Sequence, residues 1–297
     1  MPKKLLIPTE SVNPRTKNLA LSAPRQVAQM INAEDFNAAR AVKKATPAIA
    51  KAIQTAADTF LRKGKIIFIG AGTSGRLGVL EAAECVPTFG TKPSQIVGII
   101  AGGKKAMFRA QEGAEDNAEQ GGKDIAKIAR KADFVIGLTA SGITPYVLGA
   151  LKKAKQMQCQ TALLACNPQA DTQNADIFIC LQTGPEALNG STRMKAASAT
   201  KMALNAISTG AMARAGKIYK NLMVDVQPTN QKLIKRCLRL IGTIAQTDEK
   251  TAEKYFHLSG KKVKTAVLMC VKNITKKQAE LLLKKHRGFL EEALHEK

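Results

Sequence analysis

Apolar positions along the chain follow one spacing up to residue 62 and another beyond it. Residues 1–22 carry little periodicity and read as an arm. From about Pro24 to Arg62 the apolar positions recur at helical spacing, and "NAEDF" offers Asn32 as a helix cap. Five short continuous apolar runs follow: "KIIFIG" (65–70), "QIVGIIA" (95–101), "DFVIGLTA" (133–140), "TALLAC" (161–166) and "DIFICL" (176–181). Helix-compatible stretches separate most of them, which predicts a five-stranded parallel sheet covered by helices on both faces, a three-layer α/β/α arrangement. Right-handed crossovers then place every strand's carboxyl end on one edge, where open α/β sheets bind ligands. From Gly184 onward no strand pattern survives. A long helix is expected from near Ser191, and smaller helices from about Pro228, the last three punctuated at Gly260, Asn273 and Gly288. The division expected is 1–62 as arm and helices packing on the core, 63–227 as the α/β domain and 228–297 as a small helical domain.

With 297 residues, 45% of them hydrophobic, the chain can bury a full core. Aromatics are only 4% and Trp is absent, so that core rests on Ala, Ile, Leu, Val and Met. The net charge of +23 invites a nucleic-acid reading. The lysines are scattered, however, and the densest region, Lys250 to Lys285, has no arginine interleaved with aromatic residues. It reads as a solvated helical face, and no specific nucleic-acid partner is expected. The six cysteines have no C-x-x-C spacing and several sit in apolar runs, as reduced buried thiols of a cytoplasmic protein do. "MPKKLLIPTE" has no signal-like apolar stretch, and no segment is long enough to span a membrane. His257, His286 and His295 lack ligand spacing, so no metal site is expected.

Candidate chemistry begins at the first strand's end. "GAGTSG" (70–75) fits G-x-G-x-x-G between a strand and a helix, the setting of a dinucleotide fingerprint. Glycines let backbone approach a ligand, and free N–H groups at a helix start favour an anion. A dinucleotide site also requires an acidic residue about 20 positions further on, to bind the ribose. No Asp or Glu occurs between Cys85 and Gln111, so the fingerprint fails its own context. The turn instead carries Thr73 and Ser74 beside Gly75. These hydroxyls serve a helix cap and a phosphate equally well when taken alone. Two further hydroxyl-rich helix starts tip the balance. "TASGITP" (139–145) supplies Ser141, Gly142 and Thr144 ahead of Pro145, and "NGSTRMK" (189–195) supplies Ser191, Thr192 and Lys195. Three such starts suit one phosphorylated polyol at the sheet edge.

The blocks "GAGTSGRLGVLEAAECVPTFG", "GAEDN", "ASGITPYVLGAL", "CNP", "GPEALNGSTRMKAASATKM" and "GKIYKNLMVDVQPTN" together closely resemble the N-acetylmuramic acid 6-phosphate etherases. These are sugar-isomerase-domain proteins of bacterial cell-wall recycling. The resemblance runs from "TESVNPRT" (9–16) to "HRGFL" (286–290). It implies a sugar-isomerase fold with a carbon–oxygen lyase activity. The D-lactyl ether of N-acetylmuramic acid 6-phosphate is cleaved to N-acetylglucosamine 6-phosphate and D-lactate, without metal or redox cofactor and generally in a homodimer. Carried over, the family's proton donor falls on Glu84 of "AAEC" and its second catalytic acid on Glu115 of "GAED". By analogy with sugar isomerases, Ser141 and Thr144 hold the phosphate with Ser74 nearby. The chain departs from the family at Ile143, where an arginine is usual, at Ala197, where a glycine is usual, and at Arg287 in place of the first glycine of H-G-G. Ile143 could weaken anion binding, with Arg287 or a lysine as substitute.

The residues suit that chemistry. Ring opening places an aldehyde at C1 and acidifies the C2 proton, which a carboxylate can remove. An acid protonates the oxygen leaving C3, and water adds across the resulting double bond, so two carboxyl groups suffice. Read alone, Glu115 is an ordinary acidic helix start after Gly113, and Glu84 a partly buried helix residue paired with a lysine. Glu84 lies ten residues beyond Ser74, about 15 Å along a straight helix, too far for both to touch one phosphate. Either the helix breaks before Pro87, or Glu84 addresses the sugar's far end or a neighbouring subunit's site. A non-catalytic sugar-phosphate sensor and a sugar-phosphate isomerase are the competing readings.

Overall fold

The structure, a computed structural model, describes residues 8–296. Residues 1–7, on which the reading of the amino terminus partly rests, lie outside the described residues. Two helices, α1 (Pro24–Lys44) and α2 (Thr46–Leu61), precede an alternating run of strands and helices. That run is β1 (Ile66–Gly70), α3 (Gly72–Phe89), β2 (Ile96–Ile100), α4 (Ala118–Ile128), β3 (Phe134–Leu138), α5 (Pro145–Gln156), β4 (Gln160–Ala165) and β5 (Ile177–Cys180). All five strands pair in parallel in the order β2-β1-β3-β4-β5. β1 and β3 are buried at every position, as strands with helices on both faces must be, whereas the edge strands β2 and β5 are only partly covered.

Sequence order reverses between β1 and β3, because β2 lies on one side of β1 while β3, β4 and β5 follow on the other. The carboxyl ends of these two strands therefore flank the sheet's switch point, with Gly70 in register with Leu138. Helix spacing around it is set by missing side chains. A methyl group on Gly149 of α5 would lie 2.0 Å from the Ala118 carbonyl oxygen, and one on Gly121 of α4 would lie 2.0 Å from that of Tyr146. The buried Tyr146 hydroxyl donates to Asp124 at 2.9 Å, joining the same two helices.

Asn32 is not a cap, because α1 runs through it from Pro24. The cap is upstream: the Ala23 amide donates to the Gln26 side chain at 3.0 Å, and Pro24 supplies the first helical residue. The helical stretch 24–62 is interrupted at Ala45, two residues before Pro47, which has no N–H to continue the ladder.

Beyond the sheet come α6 (Lys195–Arg214), α7 (Gln231–Ala245), α8 (Glu249–Leu258), α9 (Val263–Lys272), α10 (Lys276–Lys285) and α11 (Leu290–His295). Asn273, with φ 51°, ends α9, and Gly288, with φ 88°, separates α10 from α11. Side-chain caps open α7, α8 and α10 at Asn230, Asp248 and Thr275. Contacts divide the chain into two compact units, one through Ala83 with Ser94–Ser208, the other Glu84–Pro93 with Thr209–Lys297. This partition differs from divisions at 62/63 and 227/228. The first two helices share a unit with the sheet, α2 touching β1, β3 and β5, and the second unit takes the end of α3 and resumes inside α6. The second unit has its own apolar centre, including Cys237, Ile241, Phe256, Val267, Leu268 and Leu290. Within it the Lys264 ammonium donates to Asp225 at 2.9 Å and to the carbonyls of Gly216 and Gly288 at 3.0 Å each.

Candidate active site at the sheet edge

The three glycines of the first turn meet two different demands. Gly70 and Gly75 approach so closely that a methyl on Gly75 would lie 2.6 Å from the Gly70 carbonyl oxygen. Gly72 has φ 50°, which disfavours any side chain, and the space where its Cβ would stand is open. Thr73 and Ser74 are half-buried on the first turn of α3.

The second turn, after β3, is a hydroxyl cluster. Thr139, 3% exposed, lies 2.7 Å from the Thr144 hydroxyl and 3.3 Å from that of Ser141, and accepts from the Gly142 amide at 3.2 Å. The Ile143 amide donates to the Ser141 hydroxyl at 3.3 Å. Two residues beyond β4, the buried Asn167 donates to the Ser141 carbonyl at 2.9 Å and holds the turn in place. Gly142 has φ 78°, and its missing Cβ leaves room for Ala170. Ser141 and Thr144 thus present half-buried hydroxyls where Pro145 opens α5. Ile143, the first departure from the family pattern, is exposed on this turn, and Arg287 lies in the second unit between α10 and α11. Ala197 sits in the first turn of α6.

The third turn has a different task at its far end. The buried Glu186 carboxylate accepts from the amides of Lys195 and Ala196, each at 2.9 Å, so the amino end of α6 already carries an anion. Burial pushes the Glu186 carboxyl above its ordinary pKa, and the two amides pull it back. Lys195 is removed from the phosphate-binding set. It is fully buried, and its ammonium pairs with Glu34 of α1. Arg15 pairs with the same carboxylate and is the main cause of its pKa falling to about 2, against the opposing effect of burial. The arm closes over this region through Asn13, donating to the Pro185 carbonyl at 3.2 Å, and Thr16, donating to that of Ala187 at 2.8 Å. Ser191 and Thr192 remain half-buried on the loop so clamped.

Glu115 lies in a single helical turn, Ala114–Asp116, not at the start of α4, whose cap is Asn117. Its carboxylate is exposed and lines a cavity of about 190 Å³ together with Gly72, Arg76 and Glu112. The structure therefore joins Glu115 to the glycine turn. Arg76, which the sequence did not single out, enters the same cavity, with its Nε donating to the Met107 carbonyl at 3.1 Å. Glu84 belongs to the second unit and is exposed. The buried, lysine-paired glutamate of α3 is Glu81, which accepts from Lys201 at 3.0 Å and from Ser208 at 2.5 Å. Helix α3 continues past Pro87 to Phe89, so no break precedes the proline. A larger cavity, about 670 Å³, lies in the second unit and is lined by none of the candidate catalytic or phosphate-binding residues. Of its lysines, Lys217 and Lys264 are bound to Asp225, and Lys262 to Glu280. Among the described residues no three His, Cys, Asp or Glu side chains are placed to share a metal ion. Among the described residues, likewise, no helix is long and apolar enough to cross a membrane.

Comparison with known proteins decides the family. An N-acetylmuramic acid 6-phosphate etherase of Photorhabdus laumondii is 45% identical over 284 residues, covering 95% of this chain and 94% of the relative. The chain belongs to the N-acetylmuramic acid 6-phosphate etherase family. The etherase of Edwardsiella ictaluri is 43% identical and covers 97% of both chains. The profile of the glucokinase regulatory protein N-terminal SIS domain matches residues 48–155 of this etherase-family chain. A phosphoheptose isomerase from Neisseria gonorrhoeae aligns with a TM-score of 0.47 at 13% identity, over 64% of this chain and 100% of its own.

Proposed function

We propose that this protein cleaves the D-lactyl ether of N-acetylmuramic acid 6-phosphate, releasing D-lactate and N-acetylglucosamine 6-phosphate in cytoplasmic recycling of cell-wall amino sugars. Family membership over nearly the whole chain carries this reading. The site's chemistry suits it. The hydroxyls of Ser141 and Thr144, with the Gly142 turn, are placed to take a phosphate at the switch point, with Thr73, Ser74 and Gly75 on the neighbouring turn. Ser191 and Thr192 contribute from the clamped loop.

In the ring-opened substrate the C1 aldehyde acidifies the C2 proton. One carboxylate removes that proton, and a carboxylic acid protonates the ether oxygen as the C3–O bond breaks and the C2–C3 double bond forms. The ether oxygen leaves with D-lactate. Water then adds its hydroxyl to C3 and a proton to C2. Glu115 and Glu84 carry these proton transfers, and the working form is a homodimer. The test is incubation of the purified protein with N-acetylmuramic acid 6-phosphate. Stoichiometric D-lactate is expected, and Glu115→Gln should lower its release at least 100-fold, as loss of an acid–base group does. Intact sugar-phosphate binding without lactate would contradict the reading.

A further inference from the structure

Arg76 is a half-buried cation that forms no ion pair among the described residues. Its Nε is fixed on the Met107 carbonyl, it lines the cavity beside Glu115, and no carboxylate of the described residues lies within ion-pair distance. A guanidinium anchored through Nε keeps its two terminal nitrogens as a planar fork, the shape that takes a carboxylate through two parallel hydrogen bonds. The cavity's volume of about 190 Å³ falls below the roughly 300 Å³ at which pockets begin to enclose a whole ligand. It therefore takes a fragment. Five alanines, at 71, 101, 106, 110 and 114, give it a methyl-lined wall.

The geometry points to Arg76 as the residue that binds the substrate's lactyl carboxylate, with the lactyl methyl against the alanine wall. This inference rests on the reaction proposed above and names which part of that substrate enters the cavity. The lactyl carboxylate carbon is two bonds from the ether oxygen, so a group acting on that ether has a second carboxylate close by. Glu112 and Glu115 make the cavity acidic apart from Arg76, which favours a singly charged carboxylate over a phosphate dianion. Arg76 thus determines specificity, distinguishing a lactyl ether from an unsubstituted sugar phosphate.

Three measurements test this. In the wild-type protein, converting the lactyl carboxylate to its amide should lower kcat/KM about 100-fold, the equivalent of two charge-assisted hydrogen bonds. Arg76→Gln should lose a similar factor on the acid substrate while losing discrimination against the amide. It should also lose inhibition by D-lactate, while its affinity for N-acetylglucosamine 6-phosphate stays within about 3-fold. Arg76→Lys, which keeps the charge without the fork, should fall between. Equal turnover of acid and amide by the wild type overturns the assignment without any variant. So does a parallel fall in N-acetylglucosamine 6-phosphate affinity, which makes Arg76 a phosphate ligand. Should the wild type release no lactate, the proposed reaction fails by itself. Arg76-dependent binding of D-lactate, read calorimetrically, still decides this inference.

Discussion

Replacing Glu34 by glutamine leaves the shape of the side chain and removes the charge that Arg15 and Lys195 share. The Glu34 carboxyl is held near a pKa of about 2, below its unfolded value of roughly 4.3, so its contribution is complete above the unfolded value. It is lost as pH falls through the folded one. Glu34→Gln should therefore cost on the order of 3 kcal/mol at neutral pH by denaturant titration. The gap from wild type should close progressively between about pH 5 and pH 2. A gap that persists at the acid end would assign the stabilisation to packing. The same residue explains what sequence reading could not reach. "NGSTRMK" exposes a lysine beside two hydroxyls, and only folding reveals that a carboxylate from α1, 161 positions away, has taken it. Glu186 and Glu81 were invisible for the same reason, since burial and pairing are tertiary facts. Arg76 did have a signal: an arginine directly after a glycine-rich turn.

At the scale of elements, the apolar runs identified all five strands and their parallel pairing, because strands buried on both faces leave continuous hydrophobic stretches. Helix ends were legible where local chemistry sets them, as at Asn273 and Gly288. They were missed where a better local cap competed, as at Asn32, which α1 simply absorbs. The closeness of α4 and α5 is written in Gly121 and Gly149, whose role emerges only against the facing carbonyls. Gly149→Ala should force these helices apart and cost about 1–3 kcal/mol, read as a lower denaturation midpoint with an unchanged slope. An unaffected midpoint would show that the interface yields at no cost. The turns that position Ser141, Thr144 and Glu115 stand on this pair and on β3, so the loss should extend to sugar-phosphate affinity.

For the whole molecule, the charge of +23 is far larger than the candidate site requires. Spread over scattered lysines, it should retain RNA non-specifically at low ionic strength. That retention should fall steeply between about 50 and 200 mM salt, measured by filter binding. Salt-independent, sequence-selective retention would instead reveal a dedicated nucleic-acid surface. Etherase activity should change far less over the same range, because the proposed substrate contacts, those of Arg76 included, are hydrogen bonds made at contact distance.

The central claim is an elimination followed by addition of water, and isotope placement tests it most directly. With the reaction run in water carrying heavy oxygen and deuterium, N-acetylglucosamine 6-phosphate should acquire the heavy oxygen at C3 and deuterium at C2. The D-lactate should keep the unlabelled ether oxygen. Heavy oxygen in the lactate hydroxyl, with none at C3 of the sugar, would mean that the lactyl carbon was attacked and would contradict the account.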